Sequence, residues 1–385
     1  MRFLFLTTGS HVTVYAIAAL AHAVRNAGHE VLVATNEPLI DAVETVGLPG
    51  VSITSESIRR FLATVDSPHE VVVTGRGLGR MAAATLARLS VLAQDWTPDA
   101  IVGSSMSYAA GLLAAAREIP FVRHIEYLRI PMAEIDPVAA EELAPELSRR
   151  GLAGLPEPDL LVDVSPPSLR SSSATDAHPM RYVATNPQRR LQRWAYTRPQ
   201  GRPRVLITSG THHRMLAGRS LRRLAKQLTA VDAEVVIAAP TRVAEEFGPT
   251  TDGIRIGWIP LDTVAPTCDL AIHHGGATTT MAVITAGVPQ VITPPNTHTR
   301  AIADALSTFG AAVTIPAPHQ ADHELADVLA ARSRELLADP RYARQAQALA
   351  AELAALPTPA DIVRTMETLV AARRDINNPN DPTDE

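Results

Sequence analysis

The stretch that could do chemistry reads Cys268-Asp269-Leu270-Ala271-Ile272-His273-His274-Gly275-Gly276-Ala277-Thr278-Thr279-Thr280-Met281. An apolar run ends at Ile272. Two histidines and two glycines then make a tight turn, and a threonine-rich helix start follows. Glycines let a backbone approach a ligand closely. Unpaired N–H groups at a helix N-terminus attract anions. Threonine hydroxyls add donors, and a histidine donor beside the turn would neutralise leaving-group charge. In physical terms this is a diphosphate site. The plain alternative is a helix capped by Thr278 after a loop. Downstream, Gly287-Val288-Pro289-Gln290 ends that helix and leads into the next strand. Upstream, Gly257-Trp258-Ile259-Pro260-Leu261 offers an aromatic face and a rigid turn for a base. The alternative for Trp258 is a core aromatic, although a large aromatic at a strand end needs a partner for its face and its N–H.

These turns must be positioned by a scaffold. In the N-terminal half, Arg2–Thr7 reads as a strand closed by Gly9, and Val14–Ala27 as a helix ended by Gly28. Glu30–Thr35, Asp99–Gly103 and Leu160–Val164 read as further strands, with a small-residue helix running to Arg117. The pattern restarts at Arg204–Thr208 and continues through Ala233–Ala238, Ile254–Gly257, Asp269–Ile272 and Gln290–Ile292. Short apolar strands alternating with helices imply parallel sheets covered on both faces. The fold class expected is therefore α/β, with two doubly wound domains in tandem. Ligands of such sheets bind at the carboxyl ends of the strands, so the expected site is the cleft between facing domains. Ser55–Gly79 and Leu152–Leu155 carry no clear periodicity. The former holds Gly75, Gly77 and Gly79 and is expected to be a mobile segment beside the cleft.

Composition narrows the classes. The 385 residues suit two domains, with 46% apolar and 19% charged residues. Net charge is −5 and no basic run stands out, which disfavours nucleic-acid binding. Lys226 is the sole lysine among 35 basic residues, which together with abundant alanine reads as a GC-rich coding bias. The single cysteine, Cys268, excludes a disulfide framework and a cysteine-rich metal site. No apolar run is long enough to span a bilayer, and the start lacks a leader pattern, so a cytoplasmic protein without membrane contact is expected. Neither half has the Gly-x-Gly-x-x-Gly of NAD-binding folds, and no Gly-x-x-x-x-Gly-Lys-Ser/Thr is present.

The run Trp258-Ile259-Pro260-Leu261-Asp262, Cys268-Asp269, His273-His274-Gly275-Gly276-Ala277-x-Thr279 and Ala286-Gly287-Val288-Pro289-Gln290 resembles the donor-binding signature of family 1 glycosyltransferases with the GT-B fold. Gly9-Ser10-His11-Val12-Thr13-Val14, Asn26-Ala27-Gly28-His29-Glu30-Val31, Pro98–Gly103 and Met106-Ser107-Tyr108 are similar to deoxysugar transferases of aromatic polyketide pathways, angucycline C-glycosyltransferases among them. The similarity covers nearly the whole chain. It implies an acceptor domain over 1–185, a linker over 186–203 and a nucleotide-sugar domain over 204–355. A C-terminal helix over 356–375 would return to the first domain, and 376–385 would be a disordered tail.

The resemblance also implies roles. Ser209 and Gly210 would hold a phosphate. Trp258, the Ile259 backbone and Pro260 would bind the base. His273, Gly275, Gly276, Ala277 and Thr278 would bind the diphosphate, so His273→Ala should lower turnover. The co-substrates would be a dTDP-deoxysugar and an aromatic polyketide aglycone, with no cofactor and no metal, in a monomer or weak homodimer. Two departures stand out. Thr13 occupies the place of the family's catalytic histidine, and His11 lies two residues earlier. Pro294-Pro295-Asn296-Thr297 replaces an Asp-Gln pair that grips sugar hydroxyls, leaving Ser10, Asn296 and Thr297 as sugar-binding candidates. Candidate bases are His11, Glu126 and Asp136. The reaction implied is inverting displacement at the anomeric carbon, with the new bond to oxygen or to carbon. Two rivals are a UDP-sugar 2-epimerase and a non-catalytic helper of a partner transferase.

Overall fold

The structure, a computed structural model, describes residues 1–128, 130–170, 176–209, 216, 218–250, 253–316 and 322–377. They form two units. The first comprises Met1–Val164, 176–181 and 356–377, and the second Ser165–Arg170 and Tyr182–Ala355.

Along the first unit run β1 (Arg2–Leu6), α1 (His11–Asn26), β2 (Glu30–Asn36), α2 (Ile40–Thr45), β3 (Gly50–Thr54), α3 (Ile58–Ala63) and α4 (Glu70–Asp95). Then come β4 (Ala100–Ser104), α5 (Tyr108–Arg117), β5 (Phe121–Ile125), α6 (Met132–Arg149), β6 (Leu160–Asp163) and β7 (His178–Pro179). The sheet is parallel, in the order β3-β2-β1-β4-β5-β6-β7. Phe3, Leu4, Phe5 and Leu6 are all fully buried, as a central parallel strand covered on both faces requires.

The second unit holds β8 (Arg204–Thr208), α7 (Gly218–Thr229), β9 (Glu234–Ala238), α8 (Thr241–Phe247), β10 (Ile254–Gly257), α9 (Leu261–Val264) and β11 (Leu270–His273). It continues with α10 (Ala277–Thr285), β12 (Gln290–Ile292), α11 (Thr297–Phe309), β13 (Ala312–Thr314), α12 (Asp322–Ala338) and α13 (Pro340–Ala355). Its sheet is parallel too, in the order β10-β9-β8-β11-β12-β13. The last helix, α14 (Pro359–Asn377), packs on α1 in the first unit, where Glu367 bonds His29 at 2.6 Å. Two doubly wound α/β sheets are therefore what the chain forms.

One expectation is overturned. Part of the supposedly mobile glycine segment lies in α4, a 26-residue helix. Its glycines are there for packing. A Cβ on Gly75 would meet Val138 Cβ at 2.8 Å and the Ile135 carbonyl at 2.9 Å; one on Gly79 would meet Glu142 Cβ at 3.0 Å. Four residues apart, they share a face and admit the backbone of α6. Each costs roughly 0.5–1 kcal/mol of helix propensity relative to alanine, and the close packing of α6 offsets that.

The polar stretch 186–203 is fastened to the second unit. Gln188 donates to Asp262 at 2.7 Å, Arg198 to Asp269 at 3.0 Å, and Arg204 to the Thr197 carbonyl at 2.9 Å. The chain also enters the second unit before residue 185: Pro167–Leu169 forms a short 3-10 turn in which Ser168 N and Oγ bind the Glu352 carboxylate at 3.0 and 2.6 Å. α14 runs to Asn377, two residues into the stretch expected as a tail, and 378–385 lie outside the described residues.

Candidate active site

In the second unit, β8 and β11 are neighbours with Thr208 opposite His273. Their carboxyl ends therefore bring Ser209 beside the His273-His274-Gly275-Gly276 turn. Gly210 lies outside the described residues. Gly275 takes φ +84°, and a Cβ there would meet Ile292 Cγ2 at 3.0 Å. Only glycine fits such a position without strain. Gly276, not Thr278, is the N-cap of α10, and it provides no side-chain cap. The first amides of α10, at Ala277 and Thr278, thus start a helix whose positive end carries no capping oxygen.

The two histidines have different places. His273 is fully buried. Its Nδ1 accepts the Gly275 N–H at 3.0 Å, which leaves the ring proton on Nε2, 2.8 Å from Gln290 Oε1. Burial pushes its pKa down to about 4, with the Gln290 bond acting the other way. The expected role of His273 as a diphosphate donor is therefore corrected: both ring nitrogens are used inside the fold. His274, which residue types alone do not single out, is partly exposed, and its Nε2 would press against a Cβ on Gly276. The imidazole lies over the cap of α10. Strand alternation, which turns adjacent residues to opposite sides, is the signal that separates the two.

Trp258 follows β10 and is partly exposed, so it is not a core aromatic. The Arg189 guanidinium stacks 4.5 Å from its ring centre, a cation–π contact. Trp258, Ile259 and Pro260 line a cavity of about 680 Å³ together with Arg189, Arg190 and Trp194. Asn296 caps α11 instead of offering its carbonyl to a ligand: its Oδ1 accepts Thr299 N at 2.9 Å in a capping box. Thr297 is the first residue of that helix and is exposed.

In the first unit, Ser10 caps α1 by accepting Val12 N, at 3.4 Å. His11 is the first helical residue, exposed, its ring 6.4 Å from that of Tyr15. Thr13 is buried and consumed locally: it accepts from Thr7 Oγ1 at 2.7 Å and donates to the Ser10 carbonyl at 2.8 Å. No proton-accepting role is left to it.

Asp136 lies in the first turns of α6. Arg123 grips both its oxygens at 2.7 Å, and Tyr108 OH donates to it at 3.0 Å. Burial works against the Arg123 charge, but the Asp136 bonds outweigh it and hold its pKa up. Asp136 is thus the counter-ion of Arg123, and its candidacy as a base is corrected. Glu126, just past β5, is fully buried. Its Oε2 accepts Ser105 N at 2.9 Å. Burial pushes its pKa up to about 7 against the Ser105 and backbone hydrogen bonds and the Arg123 charge.

Comparison with known proteins agrees with this architecture. Residues 69–210 match the family described as erythromycin biosynthesis protein CIII-like, N-terminal domain, and residues 222–369 its C-terminal domain. The L-demethylnoviosyl transferase of Streptomyces niveus is 32% identical, with 97% of this chain and 99% of the relative covered. The elloramycin glycosyltransferase ElmGT of Streptomyces olivaceus is 31% identical, covering 96% and 97%. The crystal structure of glycosyltransferase SsfS6 from Streptomyces sp. SF2575, complexed with thymidine diphosphate, superposes with a TM-score of 0.82 at 33% identity, covering 96% and 99%. The chain belongs to the erythromycin CIII-like family 1 glycosyltransferases of antibiotic biosynthesis, and its structural neighbours have the GT-B fold. Among the described residues, no helix is long and apolar enough to cross a membrane.

Proposed function

We propose that this glycosyltransferase moves a deoxysugar from a dTDP-sugar to a phenolic, aromatic polyketide acceptor with inversion at the anomeric carbon. The observation that carries the donor half is the β11–α10 turn. Gly275 turns the chain tightly after β11, Gly276 is partly exposed, and the positive end of α10, with no side-chain cap, starts at the strand ends that also carry Ser209. Such an end stabilises charge that develops on a departing diphosphate. The thymidine diphosphate bound to the SsfS6 relative supports dTDP as the nucleotide. Trp258, Ile259 and Pro260, which line a cavity of about 680 Å³, supply the base site.

In the reaction the bond from the anomeric carbon to the diphosphate oxygen breaks, and its electron pair leaves with dTDP. The acceptor loses its phenolic proton. A phenolate is nucleophilic at oxygen and at the ring carbons ortho and para to it, so both O- and C-glycosides are chemically open, and acid hydrolysis of the product separates them. No cofactor or metal is assigned a step.

The test is melting of the chain with dTDP, UDP, GDP and ADP at matched concentration. A ligand at about 100 times its Kd adds roughly 2.7 kcal/mol, so a selective rise with dTDP is expected. A response to UDP alone would move the reading to UDP-sugar chemistry. Silence with every nucleotide would favour a helper without a donor site.

A further inference from the structure

We infer that Glu126 is the general base that takes the acceptor's proton, and that Arg123 and Asp136 are positioning residues that hold it in place. This rests on the glycosyl-transfer reading.

Buried polar atoms in folded proteins are almost always paired. An unpaired one costs on the order of 1–3 kcal/mol. Glu126 is fully buried, and its Oε1 has no hydrogen-bond partner among the described residues. The neighbouring His124 is fully buried too, and neither ring nitrogen has a hydrogen-bond partner among the described residues. Both sit at the carboxyl end of β5, the end at which parallel sheets bind ligands. A fold keeps so costly a pair where a ligand completes it.

The carboxyl is also aimed. Its Oε2 is fixed by the Ser105 N–H at 2.9 Å. The Ser105 carbonyl in turn accepts Arg123 Nε at 2.6 Å. Arg123 is clamped by both oxygens of Asp136 at 2.7 Å, and Tyr108 closes the group on Asp136 at 3.0 Å. A line of strong contacts therefore runs from α6 through β5 and the end of β4 to one oxygen of Glu126, leaving the other as the proton acceptor. In the step, the phenolic O–H bond breaks and its proton goes to Oε1. The electron pair stays on the phenolate, which attacks the anomeric carbon as the bond to diphosphate breaks.

The titratable groups interacting with Glu126 are Arg123 and Tyr127, with Asp136 and Tyr108 beyond Arg123. Burial lifts the Glu126 carboxyl to about 7, where a base matched to neutral pH works best.

The experiment uses the full chain, dTDP-L-rhamnose as donor, and two acceptors: weakly acidic 1-naphthol and more acidic 4-nitrophenol. For E126Q, transfer to 1-naphthol should fall roughly 10²-fold or more. The loss with 4-nitrophenol should be much smaller, because that acceptor ionises by itself. Wild-type kcat/KM for 1-naphthol should rise with pH through about 7, and that limb should vanish in E126Q. In D136N the limb should shift while dTDP binding stays unchanged. Infrared difference spectra of the wild type should show one protonated carboxyl lost over the same pH range, absent from E126Q. An E126Q with the wild-type rate and pH profile overturns the assignment. So does the absence of that infrared band. If the wild type binds dTDP yet glycosylates neither phenol, the phenol reading fails and the base assignment falls with it. If it binds no dTDP, the donor reading fails separately.

Discussion

His273 Nε2 lies 2.8 Å from Gln290 Oε1, joining the last residue of β11 to the first residue of β12. On its other side His273 receives the Gly275 N–H. One imidazole thus fixes both the sheet and the turn that follows it. His273→Ala should therefore cost stability, about 2–4 kcal/mol from the cavity and the two orphaned partners. Urea unfolding measures it. An unchanged midpoint would sink the structural role.

His274→Ala should behave in the opposite way. The residue is partly exposed above Gly276, so stability should move by no more than about 0.5 kcal/mol. dTDP binding should weaken, read by calorimetry. Equal dTDP affinity in wild type and variant would remove His274 from the site.

The two turn glycines should separate in the same manner. Gly275→Ala puts a Cβ at φ +84° and 3.0 Å from Ile292, and should destabilise by about 1–2 kcal/mol. In Gly276→Ala the nearest atoms to the new methyl are those of the His274 ring. The ring can turn away, so the fold should survive while dTDP affinity drops about tenfold. A Gly275→Ala as stable as the wild type would contradict the geometry.

Stability should peak between about pH 6 and 7. His124 and His273 are both held near 4 by burial, below the ordinary 6.5. Their stabilisation is complete above 6.5 and is lost as pH falls towards 4, because the unfolded chain then binds protons that the folded one does not. Glu126 acts the other way. Its folded pKa of about 7 stands above 4.5, so its contribution is complete below 4.5 and is lost as pH rises through 7. A tenfold difference in proton affinity between the folded and unfolded chain is worth about 1.4 kcal/mol. Two histidines outweigh one carboxyl, so stability should rise from 4.5 to 6.5 and fall slightly towards 7. E126Q should steepen that rise and remove the fall. Denaturation curves at a series of pH values check this. An E126Q profile parallel to the wild type throughout would contradict it.

Gly79→Leu should lower the unfolding midpoint by displacing α6, since even a Cβ there sits 3.0 Å from Glu142. The disturbance should reach Asp136 and shift the pH profile of transfer. A variant that unfolds like the wild type would show that α4 and α6 do not need the close approach.

Much of the framework is legible along the chain. The central strands β1, β8 and β11 are continuous apolar runs, which only a doubly covered parallel strand explains. β5 escapes such a reading because Arg123 and His124 interrupt it, yet those are the residues that surround Glu126. β3 and β13 escape because they are short and rich in glycine, serine or threonine. The α4 helix is hidden by glycines whose purpose is a distant partner, α6.

Residue order alone set the α/β class, the two sheets and the position of the glycine turn between His274 and Ala277. Those follow from local periodicity and backbone permissiveness, which depend on neighbours in the chain. Which histidine turns inward, that Asp136 is spent on Arg123, and that Glu126 keeps one oxygen unpaired emerged with the assembled fold. Those outcomes depend on which strands lie side by side, on burial and on hydrogen bonds between residues such as Ser105 and Glu126. No pattern of residue types records contacts of that kind.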